Sequence, residues 1–305
     1  MDKVIPQAVA AVETVLLGKR RQVQMAVACL LGRGHLLIED LPGMGKTTLA
    51  HALAKVLGLK YRRIQFTADL LPADVTGAAI FDREKQKFVF RPGPVFSQLL
   101  LADEINRATP RAQSALLEAM EERQVTVEGR SYPLPEPFFV IATQNPGSQM
   151  GTYPLPESQL DRFLMRIELG YPDPKVERAL LAGEDPRVML AKLEPVVSPE
   201  QLRTLQAQVA AVHASDTLLD YIQRIVRATR EQDQFPMQLS PRGAMALLRA
   251  AKAFALVQGR THVVPEDVQV VAPAVLEHRL RGAIGAGHSR GQSLTERVLT
   301  SVAVV

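Results

Sequence analysis

Five short apolar runs punctuate the first 170 residues: His35–Ile38, Arg63–Phe66, Leu99–Asp103, Phe138–Thr143 and Met165–Leu169. Each is brief and continuous, the pattern of a strand buried on both faces of a parallel sheet. Helical spacing fills the intervals. Lys46–Leu57 reads as a helix closed by Gly58, and Arg111–Glu122 sets Ala112, Ala115, Leu116, Ala119 and Met120 along one face. Val4–Leu17 is amphipathic and predicts a further helix before the first strand. Alternation of strand and helix predicts a three-layer α/β domain around a parallel five-stranded sheet.

Two segments break this rhythm. Ala79–Val95 carries Ile80, Phe81, Phe88 and Phe90 around a polar Asp82–Lys87 turn, and Gln124–Leu134 sets Val125 and Val127 before Glu128-Gly129-Arg130. Both read as inserted hairpins, either edge decorations or substrate contacts. After Tyr171-Pro172-Asp173-Pro174 the pattern turns helical. Ser198-Pro199-Glu200-Gln201 has a Ser N-cap, Pro at the first position and Gln at the capping-box position. Ser240-Pro241 leads a helix stopping near Gly259, and Pro265-Glu266-Asp267 opens a last one. The expected organisation is an α/β domain over 1–170, with hairpins at about 79–95 and 124–134, then a helical lid and tail over 171–305. Gly282, Gly285 and Gly287 follow no strand and read as a flexible terminus rather than a dinucleotide loop.

Composition agrees with this division. A chain of 305 residues suits two domains, at roughly 150 residues each. With 47% hydrophobic and 22% charged residues it is an ordinary globular mixture. Apolar runs such as Ala26–Leu31 are core-sized, well short of the roughly 18 residues that span a bilayer. The single cysteine, Cys29, excludes an internal disulfide and a Cys-rich zinc site. Asp2, Gln7 and Glu13 interrupt any apolar leader, so a cytoplasmic protein is expected. The net charge is +4, unevenly spread: residues 1–67 hold ten basic and four acidic groups, the rest 26 and 28. A basic segment suits nucleic acid, a solvated face or a phosphate site.

The chemistry favours phosphate. Leu36-Leu37-Ile38-Glu39-Asp40-Leu41-Pro42-Gly43-Met44-Gly45-Lys46-Thr47-Thr48 runs from strand through a tight loop into a helix, as a P-loop requires. Gly43 and Gly45 let the backbone N–H groups of the Gly43–Thr48 stretch turn inward, and the helix N-terminus adds its positive end. Lys46 suits the β/γ-phosphates as a point charge, and the Thr47 hydroxyl suits Mg²⁺. Asp40 stands where the common pattern has its first glycine; Asp tolerates unusual turn dihedrals better than most residues. The third strand ends in Asp103-Glu104, one carboxylate for the Mg²⁺ shell and one for the attacking water. The fourth ends in Thr143-Gln144-Asn145-Pro146, where Asn145 suits contact with the γ-phosphate and water.

Together these motifs resemble the AAA+ ATPases, and in detail the MoxR family. The resemblance is carried by Glu39–Thr47, Gly93-Pro94-Val95-Phe96, Asp103-Glu104-Ile105-Asn106-Arg107-Ala108, Ala142–Pro146, Leu155–Phe163 and, in the helical part, Ser240-Pro241-Arg242. It implies an arginine finger at Arg162 reaching a neighbouring subunit's ATP, with Arg166 close enough to share or take that role. It also implies a sensor-2 arginine at Arg242, acting on its own subunit's nucleotide or a neighbour's. The two hairpins resemble the helix-2 insert and the pre-sensor-1 hairpin of one AAA+ branch. The implied function is Mg²⁺-dependent hydrolysis of ATP to ADP by a ring, as a hexamer, that remodels or matures a client complex. A von Willebrand factor A domain protein is the implied partner. The alternative is a nucleic-acid motor, since relatives with the same insertions include helicases and the magnesium-chelatase motor. No zinc module, helix-turn-helix signal or aromatic-rich basic stretch supports nucleic-acid binding.

Overall fold

The computed structural model describes residues 3–146, 151–183, 185–231, 235–281 and 293–304. In chain order its strands are Leu36–Glu39 (β1), Tyr61–Gln65 (β2), Gly77–Asp82 (β3), Lys87–Pro92 (β4), Leu99–Asp103 (β5), Gln124–Val127 (β6), Arg130–Pro133 (β7), Phe139–Gln144 (β8) and Met165–Ile167 (β9). A five-stranded sheet runs β2-β5-β8-β1-β9 with every pairing parallel. The expected five-stranded sheet is therefore present, each strand within a few residues of its apolar run.

Helices Val4–Glu13 (α1) and Arg20–Leu31 (α2) precede β1, and Lys46–Val56 (α3) links β1 to β2. Pro72–Thr76 (α4) leads into the β3–β4 hairpin, Pro110–Glu122 (α5) follows β5, and Glu157–Leu160 (α6) precedes β9. Successive strand residues point to opposite faces. Leu36, Ile38, Leu99, Leu101, Phe139 and Ile141 join one buried cluster with α2 and α3. Leu37, Leu100, Ala102, Val140 and Ala142 join a second with α5. The three layers follow directly from that alternation.

Two details differ from the sequence pattern. The opening helix stops at Glu13, four residues before Leu17, and the chain turns at Gly18 with φ +71°. The α2 helix was not expected: its Met25–Leu31 run is buried at every position, which erases the amphipathic stripe that marks a surface helix.

Beyond β9 the described chain is helical: Pro174–Ala182 (α7), Pro186–Ala191 (α8), Pro199–Ala211 (α9), Asp216–Glu231 (α10), Pro241–Val257 (α11), Pro265–Arg281 (α12) and Leu294–Ser301 (α13). Ser198 and Gln201 close the expected capping box, Ser198 Oγ accepting from Gln201 N at 3.2 Å and Gln201 Oε1 from Ser198 N at 2.9 Å. Ser240 caps α11 by accepting from Gly243 N at 3.0 Å. The helix opened at Pro265 is not the last, because α13 follows it. Buried Glu277 of α12 holds that helix by accepting from Thr295 N (3.0 Å) and Thr295 Oγ1 (2.7 Å). Gly282, Gly285 and Gly287 lie outside the described residues. No helix among the described residues is long and apolar enough to cross a membrane.

Both hairpins are present, β3 with β4 and β6 with β7. They touch through Phe90 and Tyr132, whose rings stack with centroids 4.1 Å apart.

Candidate active site

Parallel strands give the sheet two distinct edges, an entry edge where strands begin and an exit edge where they end. The loop from Asp40 to Gly45 leaves β1 at the exit edge. Gly43 and Gly45 have φ of +84° and +91°, a region open to glycine at little cost. A Cβ built on Gly43 meets nothing within 4 Å, so the loop is open at that point. Gly45 is the N-cap of α3 and no side chain caps the helix, which leaves first-turn N–H groups for an anion. Met44, Lys46 and Thr48 are half-buried, Thr47 is exposed, and Lys46 Nζ donates to the carbonyls of Asp40 and, at 3.1 Å, Leu41. Burial holds the Lys46 ammonium below the ordinary lysine range, opposed by the charges of Asp40, Asp103 and Glu104.

Asp40 owes its place to hydrogen bonding, not to an unusual turn dihedral, for it is not among the positive-φ residues. Its carboxylate is buried. Oδ1 accepts from Leu41 N at 2.8 Å, and Oδ2 accepts from Leu169 N and Gly170 N, both at 2.7 Å. Beside it Lys19, 8% exposed, donates to the carbonyls of Gly170 (2.9 Å) and Tyr171 (2.8 Å). The post-β9 segment is thus tied to the phosphate loop through the Asp40 carboxylate and to the turn before α2 through the Lys19 ammonium.

The β5 exit meets this loop across β8. Asp103 Oδ1 accepts from Thr143 Oγ1 at 2.6 Å, and Oδ2 is paired with Arg63 of β2 at 2.7 Å. Glu104 has φ +54°, a strained backbone for a residue with a Cβ. Its N–H donates to Thr143 Oγ1 at 2.8 Å. Its Oε2 accepts from Gln65 Nε2 at 3.0 Å and Arg107 Nη1 at 2.9 Å. Asn145 follows the last residue of β8, between β1 and β5. Gly43, Met44, Gly45, Lys46, Thr47, Thr48, Asp103, Glu104 and Asn145 therefore share one edge. It offers N–H donors, an ammonium, a hydroxyl and two carboxylates, a donor set suited to a magnesium triphosphate.

Arg162 and Arg242 do not join them. Arg162 lies three residues before Met165, which registers with Leu36 at the start of β1. Its Nε pairs with Glu121 Oε2 at 2.9 Å, and Arg242 Nη1 donates to Glu121 Oε1 at 3.1 Å. Glu121 sits at the end of α5, which the hydrogen bond between His35 Nε2 and Met120 O (3.2 Å) anchors beside the beginning of β1. Both arginines thus occupy the entry edge, a strand length, roughly 13 Å, from the exit edge. Arg166 lies inside β9 and pairs with Glu39 at 2.8 Å and Glu168 at 2.6 Å. It is held within the sheet rather than presented at the entry edge.

Comparison with known proteins identifies the family. The family described as "ATPase family associated with various cellular activities (AAA)" matches residues 35–165, and the AAA lid domain matches residues 227–298. Chaperone MoxR1 of Mycobacterium tuberculosis is 42% identical over 90% of this chain and 75% of its own length. The chain belongs to the MoxR family of AAA+ ATPases. Protein MoxR of Paracoccus denitrificans is 34% identical, the match covering 89% of this chain and 86% of that protein. A crystal structure from Cytophaga hutchinsonii, assigned as an ATPase, superposes with a TM-score of 0.87 at 37% identity, over 100% of this chain and 96% of that one.

Sequence reasoning missed several groups around this MoxR-family site. Arg63 and Gln65 reach Asp103 and Glu104 only because β2 pairs with β5, with Arg63 opposite Leu101 and Gln65 opposite Asp103. Their one visible signal was polar side chains on a strand of an otherwise apolar sheet. Glu121 carried no signal, being one of two acids closing α5.

Proposed function

We propose that this chain assembles into a ring, taken as a hexamer, in which each ATP is hydrolysed between the exit edge of one subunit and the entry edge of the next. The observation that carries this reading is the separation of Lys46, Asp103 and Glu104 from Arg162 and Arg242 on opposite edges of one sheet. One subunit cannot bring the two halves together, but a rotationally repeated neighbour can.

In this reading Lys46 and the N–H groups of Gly43–Thr48 hold the β- and γ-phosphates. Thr47 and Asp103 would hold Mg²⁺, which when bound neutralises charge on the phosphate oxygens. Thr143 keeps Asp103 and Glu104 in register, and Glu104 orients the attacking water and accepts its proton through the carboxylate that Gln65 and Arg107 steady. Asn145 contributes its amide to the γ-phosphate and that water. Arg162 of the neighbour stabilises charge developing on the γ-phosphoryl, worth about 10³–10⁵ in rate in analogous ATPases and GTPases. Arg242 joins Arg162 there, acting on the neighbour's nucleotide rather than its own.

The division between the α/β domain and the helical lid falls at residues 170–171. Asp40 and Lys19 grip that point, so a change in the phosphate loop is passed to the chain entering the lid. The resulting motion remodels a client protein complex in the cytoplasm, as the chaperone name of the Mycobacterium relative suggests, with a von Willebrand factor A domain protein as partner. Phosphate release and nucleotide binding test the chemistry. Lys46→Ala should lose ATP binding, and Glu104→Gln should bind ATP but release phosphate at a small fraction of the wild-type rate. Equal rates for Glu104→Gln and wild type would sink the enzymatic assignment of this edge.

A further inference from the structure

Two guanidinium groups of like charge stand together on the entry edge, and one carboxylate lies between them. Glu121 gives Oε2 to Arg162 Nε at 2.9 Å and Oε1 to Arg242 Nη1 at 3.1 Å. The three come from different parts of the fold: Glu121 ends α5, Arg162 follows α6, and Arg242 opens α11 beyond the sheet. Without the carboxylate the two cations would repel each other.

The remaining contacts show what this arrangement fixes. Asp161 lies 3.7 Å from Arg242 Nε and accepts from Arg279 Nε at 2.7 Å. Arg279, on α12, has a side chain only 5% exposed and donates to the carbonyls of Phe163 (2.7 Å) and Leu164 (3.3 Å). The backbone on either side of Arg162 is therefore stapled from α12, and its side chain is held from α5. Glu121 takes Arg162 by its Nε, the inner edge of the guanidinium. Arg123 and Arg249 add positive charge nearby: burial first, then the charges of Arg123 and Arg242, hold the Arg249 guanidinium below its ordinary range. In so cationic a neighbourhood, alignment of Arg162 with Arg242 depends on the carboxylate between them.

We propose that Glu121 is a positioning residue for ATP hydrolysis: it aligns Arg162 and Arg242 as a paired cationic fork for the γ-phosphoryl group of a neighbour's ATP. This rests on the two-subunit reading above. Glu121 touches no nucleotide itself, and it leaves ATP affinity to the other subunit's phosphate loop.

The test is steady-state phosphate release with MgATP for the full chain, with ring size and melting temperature measured alongside. Glu121→Gln keeps the shape and removes the charge. It should lower kcat about tenfold or more and leave the KM for ATP within about twofold, with the ring intact. Glu121→Asp keeps the charge one methylene shorter and should recover part of the loss. Because Glu121 acts through the two arginines, adding Glu121→Gln to Arg162→Ala should slow that variant by a smaller factor than it slows the wild type. Three results would overturn the proposal: wild-type kcat in Glu121→Gln while Arg162→Ala is slow, a loss confined to KM, or fully additive losses in the double variant. If Glu121→Gln fails to assemble, full wild-type kcat in assembled Glu121→Asp rings overturns it, and an intermediate kcat supports it. Wild-type turnover by Arg162→Ala would instead remove the two-subunit reading, and this proposal with it.

Discussion

Thr143 Oγ1 donates to Asp103 Oδ1 across 2.6 Å, and the same oxygen accepts from the backbone N–H of Glu104 at 2.8 Å. One fully buried hydroxyl on β8 thus sets both the carboxylate assigned to Mg²⁺ and the backbone that carries the carboxylate assigned to water. Thr143→Val preserves the volume and removes the donor and the acceptor together. It should cost about 1–3 kcal/mol of stability, the penalty for stranding buried polar partners. It should also lower kcat at least about tenfold, with ATP binding retained because the phosphate loop is untouched. Thr143→Ser should restore most of the activity. Wild-type turnover in Thr143→Val would show that neither carboxylate depends on this hydroxyl.

Asp40→Gly would convert the phosphate loop to the commoner pattern, and it should weaken the protein. The substitution removes a buried carboxylate that receives Leu169 N and Gly170 N, both at 2.7 Å, and leaves Lys19 without its nearby negative charge. Hydrogen bonds to charged groups contribute about 1.5–3 kcal/mol each, with incomplete additivity, so a loss of about 3 kcal/mol is expected. ATP affinity should change little, since Gly43 and Gly45 still shape the loop. Chemical denaturation beside nucleotide titration checks this. A variant as stable as wild type would contradict the role given to the carboxylate.

His35 predicts a pH dependence of stability. Its Nδ1 accepts from Val140 N at 3.0 Å and its Nε2 faces the Met120 carbonyl at 3.2 Å, so the ring is satisfied only when neutral. Burial is the main cause pushing its pKa down, from 6.5 to about 4. The unfolded chain therefore binds a proton that the folded chain refuses. The contribution is fully present above pH 6.5 and is lost as pH falls through that value to about 4. Its size is on the order of 3 kcal/mol. Buried His278 acts in the same direction. In denaturation curves between pH 7 and 5, His35→Gln should flatten the dependence without abolishing it. An unchanged slope would contradict the assignment.

How much of this was legible in the sequence depends on the range of the interactions. The phosphate loop and its helix are contiguous, so strand, glycines, Lys46 and Thr47 could be read together. The Ser198 and Ser240 caps and both hairpins are equally local. By contrast, α2 was hidden because its Met25–Leu31 run is buried all round and has no stripe. Arg63 and Gln65 were hidden because only the β2–β5 pairing makes them neighbours of Asp103 and Glu104. Arg162 and Arg242 were visible as candidates through family resemblance. Their shared carboxylate, Glu121, depends on α5, α6 and α11 meeting in space. The Arg166–Glu39 pair, a contact within the sheet, was likewise out of reach of the sequence.

The central claim is that ATP is hydrolysed at a site shared by two subunits. Its most direct test is phosphate release from mixtures of Arg162→Ala and Glu104→Gln chains, each expected to be nearly inactive alone. In a mixed ring, some interfaces join an intact Glu104 on the exit edge of the Arg162→Ala chain to an intact Arg162 on the entry edge of its neighbour. Activity should therefore reappear on mixing and pass through a maximum as the proportions are varied. Mixtures that exchange subunits yet release phosphate no faster than the separate variants would contradict the shared site.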